Sequence, residues 1–151
     1  MTMPVALESS ARVPRHRRAA ARVAVGLAWL LMRMSPLRIR QVLGVLRRGA
    51  RPATAARALA ARQAVVSVSV QCAGQGCLQR SLATALLCRF GGTWPDWCTG
   101  VRTEPFRAHA WVEAEGRPVG ELEEIHAFRK VMVVPALPAG DRPRSEAGAG
   151  R

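Results

Sequence analysis

Cys77 stands between the flexible run Ala73-Gly74-Gln75-Gly76 and an apolar segment, residues 77–90, that ends at Gly91-Gly92. Leu78, Leu82, Ala85 and Leu86 fall on one face of a helix there, and Arg80 and Arg89 are expected to face solvent. The chain must therefore hold one thiol at the start of a buried helix. Thirty-two residues later comes Ala108-His109-Ala110-Trp111-Val112-Glu113, a strand-like segment holding the only one of the three histidines so placed. A thiol at a helix start and a histidine on a strand are the two parts of an activated sulfur nucleophile.

The rest of the pattern reads as helices first and strands after. Residues 15–34 predict a helix closed by Ser35-Pro36, and residues 37–48 a second one stopped by Gly49. Residues 52–63 predict a third, with Thr54 too far inside to cap it. The run Val65-Val66-Ser67-Val68-Ser69-Val70 stays open between a strand, as its β-branching favours, and a segment leading down to Cys77. Residues 97–102, 107–113, 117–121 and 130–134 read as strands, with 107–113 and 117–121 joined as a hairpin around Ala114-Glu115-Gly116. The expected class is α+β. The expected organisation is a flexible start over 1–14, one domain over 15–134 (helical over 15–64, catalytic core over 65–134) and a Pro-, Gly- and Ala-rich disordered tail over 135–151.

Composition narrows the class further. Twenty-two arginines and one lysine face ten acids, a net charge of +13 that favours acidic partners and makes their association salt-dependent. The arginines at 12, 15, 17, 18, 22, 47, 48 and 51 raise the possibility of a nucleic-acid-binding protein. No nucleic-acid motif accompanies them and no aromatics interleave, so solvated helix faces or a docking surface is the preferred reading. The basic stretch 12–22 followed by ten apolar residues, 23–32, resembles a signal peptide but lacks a small-residue cleavage site. Ten residues are too few to span a bilayer, so the cytoplasm is the expected compartment and membrane association the lesser alternative. Cys72, Cys77, Cys88 and Cys98 are not spaced as a dense disulfide scaffold, and no second close pair supports zinc. No metal and no cofactor is expected.

A free thiol has a pKa of about 8.5, so catalysis at neutral pH requires its lowering. The unpaired N–H groups opening the helix at Cys77 favour an anion, and an imidazolium at His109 adds to this. Alternation places Arg107, His109, Trp111 and Glu113 on the more polar face of their strand. Glu113 is too near in sequence to fold back on His109, whereas Glu121, on the returning strand, can sit beside it. Asp96 is a weaker rival. The bland alternative is that Cys77 is a small buried hydrophobe.

Together these residues carry a resemblance. Cys77-Leu78-x-Arg80-Ser81-Leu82-Ala83, then His109-Ala110-Trp111-Val112-Glu113, then Gly116-Arg117-Pro118-Val119-Gly120-Glu121 is similar to the leader peptidases of lasso-peptide biosynthesis, over residues 70–134. That family is transglutaminase-like and papain-related. The resemblance implies a Cys77–His109–Glu121 cysteine peptidase, with glutamate where the family usually has aspartate. Papain-like proteases often carry a glutamine near the position of Gln71 that donates to the oxyanion, the alternative being a solvated loop residue. Trp94 and Trp97 either line the wall of a substrate cleft or pack under it, and Trp111 either shields the His109–Glu121 contact or is a core aromatic. The implied substrate is a ribosomally made precursor peptide, and the implied partner a separate leader-binding protein. A macrolactam synthetase would act next in the same pathway. The competing class is a non-catalytic binding module of the same fold.

Overall fold

A computed structural model describes residues 12–138; of the expected flexible start over 1–14 and disordered tail over 135–151, residues 1–11 and 139–151 lie outside the described residues. The chain runs α1 (Arg15–Leu31), α2 (Pro36–Leu46), β1 (Arg51–Pro52), α3 (Ala55–Val68), α4 (Val70–Ala73), α5 (Cys77–Phe90), β2 (Thr93–Trp94), β3 (Asp96–Thr103), β4 (Phe106–Ala114), β5 (Arg117–Pro118), a 3₁₀ turn (Glu123–Ala127) and β6 (Arg129–Val134). Mixed helix and sheet is the result, in the order that the pattern of periods led us to expect.

The helix α5 is the centre of the molecule. Every residue from Gln79 to Cys88 is buried, because α1 and α3 cover one side and β4 the other. The covering helices meet it with small side chains: Ala21, Ala24 and Ala28 on α1, and Ala58, Ala61 and Ala64 on α3. Such stripes let helix axes approach closely without voids. The main sheet is antiparallel in the order β5-β4-β3-β6, and a short parallel pair joins β1 to β2. In the β3–β4 register Gly100 lies opposite His109. A Cβ at Gly100 would come within 2.6 Å of the Arg129 carbonyl and 2.9 Å of the Trp111 ring, so the missing side chain is what admits that ring beside His109.

Several local expectations are corrected. Thr54 is the N-cap of α3 after all, its hydroxyl accepting from Arg57 N at 3.2 Å, because the helix begins three residues later than read. Residues 65–68 continue α3 as helix, since burying Val65 and Val66 outweighs their β-preference. Ser69 then caps α4 by accepting from Cys72 N. The strand expected over 117–121 is two residues long: Val119 N still donates to the Val112 carbonyl at 3.0 Å, and Gly120, at φ +66°, then turns the chain away. Arg80 is buried rather than solvent-facing, and the half-buried Arg89 donates from Nε to the Leu46 carbonyl at 2.6 Å. At the start of the expected disordered tail, Ala136 N donates to Asp96 at 2.7 Å, and the Pro135 carbonyl accepts from Arg47 at 2.9 Å.

Candidate active site

The approach to Cys77 is a tight backbone turn. The Gln71 carbonyl accepts from Gly74 N at 3.3 Å and from Gly76 N at 3.0 Å, and Cys77 N donates to the Gln75 carbonyl at 2.9 Å. A Cβ at Gly76 would lie 2.7 Å from the Gln71 carbonyl oxygen, so the turn demands glycine there. Arg80, one turn into α5, reaches back beneath it. Its Nη1 donates to the Cys72 carbonyl at 2.9 Å and to the Gly74 carbonyl at 3.0 Å. The same side chain thus ties the start of α5 to the loop that delivers the cysteine. Sequence reasoning missed this arginine; the available signal was a charged residue inside a helix that is apolar on nearly all sides.

Cys77 is half-buried, and its thiol is held below the ordinary range chiefly by a hydrogen bond with His109. Burial opposes this, while the Ala110 backbone and the charge of Arg80 assist. The other three cysteines move the opposite way: burial raises Cys72, pushes Cys88 up to about 11 and pushes Cys98 up to about 12. All four are free thiols. Cys77 alone among the four is shifted toward the thiolate.

His109 sits between the thiol and an acid. Its Nε2 lies 2.8 Å from Glu121 Oε2, which leaves Nδ1 for Cys77. Hydrogen bonds to Cys77 and to Glu121, in that order, raise its pKa to about 9 against the opposing effect of burial. The imidazolium is therefore the form favoured at neutral pH, facing a thiol whose ionisation it promotes. Glu121 lies just past the Gly120 turn rather than on a strand, and the Arg62 side chain of α3 packs against Gly120 so closely that a Cβ there would meet it at 2.8 Å.

An aromatic enclosure surrounds the ring. Trp111 stacks on His109 at 5.9 Å between centroids and 14° between planes, and Phe128 lies tilted at 5.5 Å. The more polar strand face, which carries His109 and Trp111, is covered by Ile125, Phe128 and Val133, which form a second small core with Cys98 and Trp111. Glu113 is absorbed in that core, accepting from Trp111 Nε1 at 3.0 Å and from Lys130 at 2.8 Å. Asp96, the other acid considered, binds the Ala136 amide. Neither competes with Glu121 for His109.

Of the two roles open to the tryptophans, the structure gives them the packing one. Trp94 and Trp97 are buried beneath α5, where their indole N–H groups donate to the Val134 carbonyl at 3.2 Å and the Ser81 hydroxyl at 3.1 Å. Trp111 is equally buried and reaches the site only as the ring behind His109. Large aromatics in a domain this size are needed for the core. Gln71 is exposed beside the turn, its Cγ within 3.1 Å of the position of a Gly76 Cβ, and it serves the turn through its carbonyl.

Among the described residues no group of three or more His, Cys, Asp or Glu side chains is arranged to hold a metal, and no helix is long and apolar enough to cross a membrane. Comparison with curated proteins and with solved structures returned no match. The sequence profile of the Transglutaminase-like superfamily does match, over residues 21–133, which runs from within α1 through nearly all of β6 and takes in every residue of the cluster around Cys77. The chain belongs to the transglutaminase-like superfamily.

Proposed function

We propose that the protein is a cysteine peptidase that removes the leader from a lasso precursor peptide. The observation that carries the reading is the line Cys77–His109–Glu121, in which the thiol is lowered, the imidazole raised and the carboxylate 2.8 Å from the far ring nitrogen. Superfamily membership and the three motifs that resemble lasso leader peptidases support it.

In this reading the Cys77 thiolate attacks the scissile carbonyl carbon, forming a C–S bond and an oxyanion. The oxyanion faces the start of α5, where the N–H groups of Leu78 and Gln79 precede the first helical bond, Arg80 N to the Gly76 carbonyl at 2.8 Å. The exposed Gln71 amide is the second donor. The Cys77 N–H is already engaged by Gln75. The His109 imidazolium then protonates the leaving amine, the C–N bond breaks and the core peptide departs. Neutral His109 next takes a proton from water, which attacks the thioester and releases the leader as its carboxylate. Glu121 holds the ring tautomer and stabilises the imidazolium throughout. Trp111 and Phe128 keep water from the ring. A separate leader-binding protein presents the precursor, and a macrolactam synthetase closes the freed core.

The test has two parts. Iodoacetamide should modify Cys77 faster than Cys72, Cys88 and Cys98 near neutral pH, and the purified chain with its leader-binding partner should cut a precursor peptide. An unreactive Cys77 would return the protein to the non-catalytic binding class.

A further inference from the structure

The charge of this molecule is divided by element. Between residues 12 and 95 there are fifteen arginines and no acid, and every acid of the described residues falls between Asp96 and Glu124. The helical layer therefore repels basic and attracts acidic ligands over its whole surface. Within that layer the corner between α1 and α2 is also apolar. Trp29, Leu30, Met34 and Leu37 are exposed there, Leu37 at 67%, with Arg33 and Arg38 among them. Charge and grease coincide at one place.

The corner lies at the catalytic end of the molecule. Gln79 Nε2 donates to the Val25 carbonyl at 3.2 Å, and nine residues further along α5 Cys88 shares a surface recess with Arg17. The two helices are thus antiparallel. From the Gln79–Val25 contact, α5 runs back about 3 Å to Cys77 while α1 runs on about 9 Å to Leu31, at 1.5 Å per residue. The α1–α2 corner consequently projects roughly 6 Å past the level of Cys77 on the same end.

We propose that this corner is an exosite for an acidic, apolar-studded segment of the peptide substrate, remote from the bond that is cut. The proposal rests on the peptidase reading for its occupant. Arg33 decides between a peptide and a lipid surface. Its guanidinium lies 4.0 Å over the Trp29 ring, so inserting that ring among acyl chains would draw the charge in with it. A carboxylate can instead pair with Arg33 while a neighbouring apolar side chain packs on the ring's edge, Leu30 and Leu37. Segments with acids spaced among leucines match this surface; basic ones do not.

The experiment uses the full chain and labelled 20-residue designed peptides, read by fluorescence anisotropy: one of Glu and Leu at helical spacing, one of Lys and Leu, one of Glu and Ser. The Glu/Leu peptide should bind best, and tenfold or more weaker to Arg33→Glu/Arg38→Glu and to Trp29→Ser/Leu30→Ser. Added salt should weaken wild-type binding in the same direction, giving a second measurement that needs no variant. Iodoacetamide modification of Cys77 should be unchanged in both variants. Equal binding by wild type and variants, or equal binding of the Glu/Ser peptide, would overturn the exosite. So would residue-dependent binding to phosphatidylglycerol–phosphatidylcholine vesicles in place of the peptide, or a dimer that both variants abolish. If Cys77 proves unreactive while the variants still lose the peptide, the peptidase reading falls and the binding surface stands. A reactive Cys77 with indifferent variants removes the exosite alone.

Discussion

Replacing Glu121 with glutamine removes one charge from the far side of His109 and leaves the shape nearly intact. The active pair, thiolate and imidazolium, exists above the lowered pKa of Cys77 and below the pKa of His109, which stands near 9. The raised His109 value has two main sources, Cys77 first and Glu121 second. Glutamine keeps a hydrogen-bonding partner at the position 2.8 Å from Nε2 but withdraws its charge. A hydrogen bond to a charged group is worth about 1.5–3 kcal/mol against about 1 for a neutral one, so the change costs on the order of 1–2 kcal/mol. That amounts to roughly one pKa unit and roughly a fivefold to thirtyfold loss of kcat/KM. The assay is the pH profile of kcat/KM on a precursor peptide, with thermal melting to confirm folding. Its alkaline edge should move from near 9 toward the ordinary histidine range of 6.5. Glu121→Asp tests the reach: one methylene fewer withdraws the carboxylate by about 1.5 Å, beyond hydrogen-bond distance unless the Gly120 turn follows it. It should fall between wild type and the glutamine variant. An alkaline edge that stays near 9 in Glu121→Gln, with unchanged rate, would show that Glu121 does not govern the ring.

The remaining expectations follow from the same geometry. Cys77→Ala should melt like wild type and lose cleavage by a factor on the order of 10⁴ or more, measured by mass spectrometry of the precursor; full activity there with loss in Cys72→Ala would move the nucleophile. Arg80→Met leaves the Cys72 and Gly74 carbonyls without their donor, so it should destabilise by about 2–4 kcal/mol and slow iodoacetamide at Cys77, with Arg80→Lys partly restoring both. Gly100→Ala drives a methyl against the Arg129 carbonyl and the Trp111 ring, and should cost about 1–3 kcal/mol in chemical denaturation. The folding contribution of His109, whose pKa is raised, should be complete below 6.5 and lost as pH climbs through about 9, visible as a falling melting temperature across that window.

Local patterning carried the sequence reading a long way at the site. The helix at Cys77 was legible because its apolar run is bracketed by Gly76 and by Gly91-Gly92, and the His109 strand because its alternation ends at the Ala114-Glu115-Gly116 turn. These are near-neighbour effects of sterics and burial, and they need no knowledge of the rest of the chain. That Glu121 lies 2.8 Å from His109 required more. The β4–β5 hairpin, turning through Glu115 and Gly116 at positive φ, brings the two within reach, but the last step is the Gly120 turn held against Arg62. Other features depended wholly on what packs where. Residues 65–68 are helical because Val65 and Val66 are buried there, Arg80 is inside because backbone carbonyls 6 and 8 residues back are turned toward it, and Trp94 and Trp97 are core because α5 packs over them. A side chain's period tells which face it shares; only the neighbouring element tells whether that face meets water.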